Sequence, residues 1–466
     1  MSEAPIPVDV AAIGTGQATP ALATTLASRG ASVVVFESGL VGGTCVNVGC
    51  TPTKTLRATA RVAHMARRAG EYGVQVGPVV VDVAAAMARV QKIVTASRTG
   101  LEGWMSSVPG LQLVRARARL DGRRDDRFVI RAGDQVYLAS RVYLNVGTRP
   151  VLPEIDGLAG ARPLTNESIL SLRAAPGHLI ILGGSYIGLE FAQIFRRLGS
   201  DVTVLQAAPV IANRETPDIS ARLTAMLEAE GIRILAPVSV ASVARDENEM
   251  VRVVLNGTAE AIEGSEILVA TGRRPNTDEL GLETVGIAVN RHGYVPVDGT
   301  LATATPGIWA LGDVNGRGAF THTSWQDHEI VLANLAGNAR SVDGRTTTYA
   351  MYTDPPLGRI GMHLADARAA MRLGRRFLYA EHEMSKVSRA KEEGETIGVI
   401  QVVVDADTHR FAGISMLGIH ADEIVQVIAA LMAADAPYET LRDFLPIHPT
   451  VTEFFPTILG KLKPLV

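Results

Sequence analysis

"GHLIILGGSYIGLEFAQIFRRLGSDVTVLQ", residues 177–206, is the stretch on which the fold turns. An apolar run enters a glycine turn at Gly183, a helix-length stretch follows, and a second apolar run ends on Gln206. Short apolar runs bounded by glycine read as buried strands, and the longer stretch between them reads as a helix. Strand, glycine turn, helix and strand make the unit in which backbone N–H groups at the helix start hold a pyrophosphate, while a residue at the second strand's end meets a ribose.

The same unit opens the chain. "VDVAAIGTG" (8–16) runs into a glycine turn, "QATPALATTLASRG" (17–30) reads as a helix closed by Gly30, and "ASVVVFE" (31–37) returns as a strand. Gly14, Gly16 and Glu37 take the turn and ribose positions; in the second unit Gly183 and Gly188 match the glycine pattern, Ser185 replaces the middle glycine, and Gly183 to Gln206 repeats the separation from Gly14 to Glu37. Thr19, followed by Pro20, stands where a third glycine normally lets the helix pack closely on the strand. Two nucleotides are implied. Glu37 suits an unphosphorylated ribose, as in the adenosine half of FAD or in NAD, whereas neutral Gln206 accepts a ribose with or without a 2′-phosphate. With Arg214 on the following loop, the second unit leaves NADPH and NADH open and tilts toward NADPH.

The totals bound the rest. A chain of 466 residues, 47% hydrophobic and 20% charged, can bury a core shared among several domains. A formal net charge of -3 and the lack of a long basic run argue against nucleic-acid partners and for small molecules. The opening "MSEAPIPVDV" lacks a positive segment followed by an apolar stretch, and no later window is uniformly apolar, so no export signal or membrane span is expected and the cytoplasm is the expected compartment.

The chain holds two cysteines, Cys45 and Cys50, both within "GGTCVNVGCTPTK" (42–54). Structural disulfides are rare in thiol-buffered compartments, so a close pair reads as catalytic or metal-binding before it reads as a staple. Zinc would need two further ligands, and neither His nor Asp sits at suitable spacing nearby, so no metal site is expected. Two buried cysteines acting as small hydrophobes remain the plain alternative.

Placed between two dinucleotide units, this stretch resembles the flavin-dependent pyridine nucleotide-disulfide oxidoreductases, and the resemblance covers nearly the whole chain. Gly42, Gly43, Cys45, Cys50 and Pro52 match the family's redox-disulfide pattern, with Thr51 where an aliphatic residue is usual. "LNVGTRP" (144–150) and "LVATGRRPNTD" (268–278) resemble the crossings between the two nucleotide domains, and "TPGIWALGDV" (305–314) resembles the second flavin motif. "YTDPPLGRIGM" (352–362) resembles the opening of the interface domain, and "HPTVTE" (448–453) its catalytic end. Several segments are most similar to mercuric reductases, yet the terminus "ILGKLKPLV" lacks their vicinal cysteine pair.

The resemblance implies an α/β fold with two Rossmann-like dinucleotide-binding domains and a C-terminal α+β dimerisation domain. FAD would occupy 1–150 with 271–338, NAD(P)H would occupy 151–270, and 339–466 would form the homodimer interface. It implies that Gly14, Gly16, Glu37, Gly43, Thr44, Lys54, Gly147, Arg274, Gly312 and Asp313 contact FAD, with Asp313 on the ribityl chain. Gly183, Tyr186, Gly188, Gln206 and Gly272 would serve NAD(P)H, with Tyr186 covering the nicotinamide pocket. Cys50 would be the thiolate against the flavin and Cys45 the thiol that attacks substrate.

Physical reasoning supports the remaining roles. Lys54, paired with Glu190, would place positive charge where reduced flavin gains electron density. Thiol–disulfide exchange needs an acid for the leaving sulfur and then a base, which suits His448 backed by Glu453; the resemblance implies that this histidine reaches the flavin site of the partner subunit. Three readings follow: a reductase of a small disulfide or similar electrophile, a flavin reductase of a metal ion, quinone or dioxygen, and a noncatalytic redox sensor with the same fold.

Overall fold

The computed structural model describes residues 4–257 and 261–466; residues 1–3 of the quoted N-terminal stretch and 258–260 of the expected second nucleotide domain lie outside the described residues. In the first sheet the strand Ile6–Ile13 lies between Val33–Phe36 and Gln135–Leu144, parallel to both, and Leu111–Val114 extends the far side. The strand Ile308–Ala310 also joins Gln135–Leu144 in parallel, so a segment far along the chain completes the layer that the N-terminus begins. Arg127–Ala132 and Ala118–Arg124 finish it as an antiparallel extension.

The second sheet repeats the strand order on a smaller scale. His178–Leu182 is central, flanked in parallel by Asp201–Leu205 and Glu266–Val269, and Ile232–Leu235 lies outside Asp201–Leu205. The central strand is buried on both faces, by helices on one and by the antiparallel strands Val240–Arg245, Val251–Leu255 and Ala261–Gly264 on the other, which is why "LIIL" is apolar along its whole length. The helix Tyr186–Leu198 ends at Gly199, whose φ of 114° is open to a residue without a Cβ. A short antiparallel ladder, Thr148–Pro150 with Arg273–Pro275, joins the two crossing segments.

Residues 348–464 carry a six-stranded antiparallel sheet, including Val399–Asp405 and Phe411–Leu417, packed by the helix Ala421–Ala433. The units meet at the helix Cys50–Arg67. Its Arg57 and Arg61 reach Asp354 of the C-terminal region, and so does Arg197 of the helix Tyr186–Leu198. Three cations around one buried carboxylate offset its desolvation and pin the cysteine helix to two neighbouring layers. Phe191 and Phe195, fully buried on the same helix face, contribute about 1.5–3 kcal/mol each.

Candidate active site

A cavity of about 700 Å³ runs from the first glycine turn to the cysteine helix. Its volume falls within the roughly 300–1,000 Å³ of small-molecule and cofactor sites. Gly14, Thr15, Gly16 and Glu37 line one end, and Cys45, Cys50, Lys54, Glu190 and Asp313 line the other.

Glycine is required at the turn for a steric reason. A Cβ on Gly14 would lie 2.5 Å from the Asn145 carbonyl oxygen, and one on Gly16 would lie 2.4 Å from the Asn145 side-chain oxygen. The Glu37 carboxylate accepts from Thr15 N at 3.0 Å and from Gly39 N at 2.8 Å, so the acid closes the turn while facing the cavity. Gly43, Thr44 and Gly147 also line the space.

The two cysteines are brought together by two short-range features. Cys45 sits in the helical turn Gly43–Asn47, and Cys50 opens the helix Cys50–Arg67. A Cβ on Gly49 between them would lie 2.9 Å from the Thr44 carbonyl oxygen, so glycine there lets the two turns close on one another. The Cys50 thiol is held below its ordinary range, at about 6, chiefly by the hydrogen bond from Cys45, with Thr321 and the charge of Lys54 adding to it. Burial and the facing Cys50 push the Cys45 thiol up. The N-terminal position of Cys50 favours the thiolate as well.

Lys54 Nζ lies 2.7 Å from Glu190 Oε2 and 4.5 Å from the centre of the Tyr352 ring. The backbone N–H of Tyr352 donates to Glu190 Oε1 at 2.9 Å, which fixes the carboxylate from its other side. Asp313 accepts from the Thr148 hydroxyl at 3.1 Å, and its burial pushes the carboxyl upward.

Several expectations meet a different geometry. Arg274 is exposed and pairs with Asp278, whereas Arg273 lines the cavity and donates to the Thr148 carbonyl at 2.6 Å. Adjacent strand residues face opposite sides, so a one-residue difference exchanges surface for site. The Tyr186 hydroxyl donates to the buried Glu215 at 2.6 Å, which also accepts from Tyr349, and the neighbouring Ile187 lines the cavity. Gly312 and Gly272 are absent from the lining; Gly312 N donates to Asp327 at 2.8 Å and Gly272 O accepts from Val151 N at 3.1 Å. Thr51 is not on the wall, which is made instead by Thr53 and Lys54.

At the second turn, a Cβ on Gly183 would lie 2.5 Å from the Ala270 carbonyl oxygen and one on Gly188 only 2.0 Å from the Gly183 carbonyl oxygen. Gln206 Oε1 accepts from Gly184 N at 2.9 Å. His448 Nδ1 lies 2.8 Å from Glu453 Oε2, and the imidazole is exposed, away from the cavity of its own chain. Among the described residues no helix is long and apolar enough to cross a membrane.

Asn145 and Thr321 were not singled out by sequence reasoning. Asn145 Oδ1 accepts from the Thr19 hydroxyl at 3.2 Å, and its amide donates to the Leu311 carbonyl at 2.7 Å, joining the first turn to the segment before Asp313. A polar residue at the end of an apolar strand is the signal that marked it. Thr321 follows the second flavin motif in a run, "FTHTS", that carries no linear cue to the cysteines.

Two nucleotide-type folds, a glycine-cradled cavity and facing cysteines beside a half-buried lysine paired with a buried glutamate define a flavin-linked dithiol enzyme. Residues 8–327 match the family model for pyridine nucleotide-disulphide oxidoreductase, and residues 347–458 match the dimerisation domain of the same family. The chain belongs to that family. It is 33% identical over 456 residues to the probable pyridine nucleotide-disulfide oxidoreductase RclA of Escherichia coli (strain K12), covering 97% of this chain and 98% of that one. It is 32% identical over 438 residues to a mercuric reductase of Streptomyces lividans, covering 93% and 91%. A solved structure described as the Cu(II) complex of the HOCl-induced flavoprotein disulfide reductase RclA from Escherichia coli superposes with a TM-score of 0.88 at 32% identity, covering 98% of this chain and 100% of that one. The chain is therefore an NAD(P)H-dependent FAD disulfide oxidoreductase.

Proposed function

We propose that Cys45 and Cys50 are the redox pair that carries electrons from NAD(P)H and FAD to a small disulfide or similarly electrophilic acceptor. The observation that carries this reading is the placement of a thiol of lowered pKa, Cys50, at a helix start on the wall of the large cavity, beside the Lys54–Glu190 pair and facing Cys45. Gly14, Gly16, Glu37, Gly43, Thr44, Lys54, Gly147 and Asp313 would hold FAD, with Arg273 in the place first given to Arg274. The glycine cradle, which any Cβ would fill, fits a pyrophosphate approaching backbone N–H groups. FAD, when bound, accepts a hydride from nicotinamide and passes the electron pair to a disulfide.

The chain's own groups do the exchange. The partner subunit's His448 takes the proton of the Cys45 thiol, the Cys45 thiolate forms a bond to one substrate sulfur as the substrate S–S bond breaks, and His448 gives that proton to the leaving thiolate. The Cys50 thiolate then attacks Cys45 sulfur, which restores their disulfide and releases a second thiolate that takes a proton from solvent. Glu453 holds the imidazole and stabilises its protonated form. The two-electron reduction of the acceptor is thus balanced by oxidation of the dithiol to its disulfide.

Gly183, Gly188, Gln206 and Gly272 shape the NAD(P)H unit, and Tyr186 forms its wall through Glu215. The neutral Gln206 and the exposed Arg214 support NADPH over NADH. We assign 1–150 with 271–338, 151–270 and 339–466 as the FAD, NAD(P)H and interface domains of a homodimer acting in the cytoplasm, where thiol buffers match a chain with only one cysteine pair. A second reading, a metal ion as acceptor, draws support from the similar structure described as a Cu(II) complex.

Anaerobic titration with NADPH and then NADH tests the reading. A long-wavelength thiolate-to-flavin band after one equivalent, lost in Cys50→Ser, is the expected result; flavin bleaching without that band overturns it. Cys45→Ser separates the acceptors, since disulfide turnover vanishes while reduction of a metal ion persists only under the second reading.

A further inference from the structure

Thr321 opens the helix Thr321–Leu335 and lines the cavity. Its hydroxyl donates to Cys45 Sγ at 3.1 Å and stands 3.2 Å from Cys50 Sγ. It is thus within hydrogen-bond reach of both sulfurs. The other groups around the pair are fixed in role: Lys54 on the cysteine helix is a cation, Glu190 on the helix Tyr186–Leu198 is its counter-ion, and Tyr352 covers the lysine. None of them is placed between the two sulfurs as Thr321 is.

A hydroxyl carries one proton to donate and two lone pairs to accept with, and it rotates to suit its neighbours. Between two sulfurs that share one negative charge, it donates to the thiolate and accepts from the thiol. We propose that Thr321 is a catalytic residue of the dithiol, whose hydroxyl follows the negative charge from Cys45 to Cys50 as exchange proceeds. While Cys45 is the nucleophile, the hydroxyl donates to it. Once Cys45 has become neutral in the mixed disulfide, the same hydroxyl turns to the Cys50 thiolate, which goes on to attack Cys45 sulfur. The hydroxyl gains and loses no proton over the cycle. This inference rests on the reading of Cys45 and Cys50 as the redox pair.

Thr321→Val keeps the branched shape and removes the hydroxyl, and Thr321→Ser keeps the hydroxyl and removes the methyl. The probes are the pH dependence of the thiolate-to-flavin band in the reduced holoenzyme and the rate of iodoacetamide alkylation at Cys45, located by peptide mass spectrometry. For the valine variant both midpoints are expected to rise by about one pH unit, a tenfold loss of thiolate at fixed pH below them. The serine variant is expected to titrate with the parent enzyme. Valine midpoints equal to the parent's, or serine midpoints as displaced as valine's, overturn the role of the hydroxyl. A parent enzyme with neither signal overturns the redox-pair reading itself, and this inference with it.

Discussion

The two dinucleotide units, residues 8–37 and 178–206, share a strand order and glycine spacing and differ in how each closes the helix onto the strand. In the second, Gly188 lies so close to the Gly183 carbonyl that no side chain fits. In the first, Thr19 occupies that position, wholly buried, and bonds the side chain of Asn145. The first turn faces the large cavity, whereas the second unit reaches it through the side of its helix, by Ile187, Glu190 and Phe191. One backbone design thus serves two purposes. In one unit the turn lines a ligand space, and in the other the helix also supports the cysteine helix through Glu190.

Substitutions at matching positions sharpen this contrast. Gly188→Val should have the largest effect, because backbone meets backbone there and neither can yield; we expect a loss of about 3 kcal/mol or more, read as failure to accumulate folded protein or a collapsed melting transition. A normal melting temperature would show that the second unit tolerates the wider spacing of the first.

Lys54→Met comes next. It leaves Glu190 buried with only a backbone donor and removes one of the charges that lower the Cys50 pKa. We expect flavin reduction by NAD(P)H to slow by about 10–100-fold, with the thiolate band shifted to higher pH. Stopped-flow rates equal to the parent's would separate the second unit's helix from the flavin chemistry.

The parent enzyme has its own pH signature. The Cys50 pKa is lowered from 9.0 to about 6. The stability contributed by its thiolate in the reduced protein is therefore fully present above about pH 9 and is lost as pH falls through about 6. Reduced enzyme should lose melting temperature over that window relative to Cys50→Ser, and parallel profiles for the two proteins would contradict the lowered thiol.

Gln206→Glu makes the second unit's strand end resemble the first's. The added charge repels a 2′-phosphate, and we expect the ratio of kcat/KM for NADPH over NADH to fall by about tenfold; an unchanged ratio would place nucleotide selection elsewhere. Thr19→Gly should have the smallest effect, about 1 kcal/mol from the lost hydroxyl hydrogen bond to Asn145, measured by denaturant unfolding.

Much of the site was legible where spacing along the chain maps directly onto space. The first glycine turn, Glu37, the cysteine pair and Lys54 lie in local motifs whose geometry follows from a few residues, and the structure places them around one cavity. Arg274 was misplaced because a three-residue strand gives no alternation by which to tell its two faces apart. The Tyr186–Glu215 contact was not legible because Glu215 lies beyond the next strand, and a carboxylate buried between two tyrosines is invisible to periodicity.

By itself, then, the sequence determined the family, the doubled nucleotide unit and the chemistry of its only two thiols, because each is written in contiguous residues obeying short-range sterics. Only the tertiary structure decided that Thr321 reaches both sulfurs, that Arg273 faces the cavity in place of Arg274, and that Asn145 makes room for Thr19. Those contacts join residues more than a hundred positions apart, and their partners are chosen by packing of whole layers, which no local pattern records.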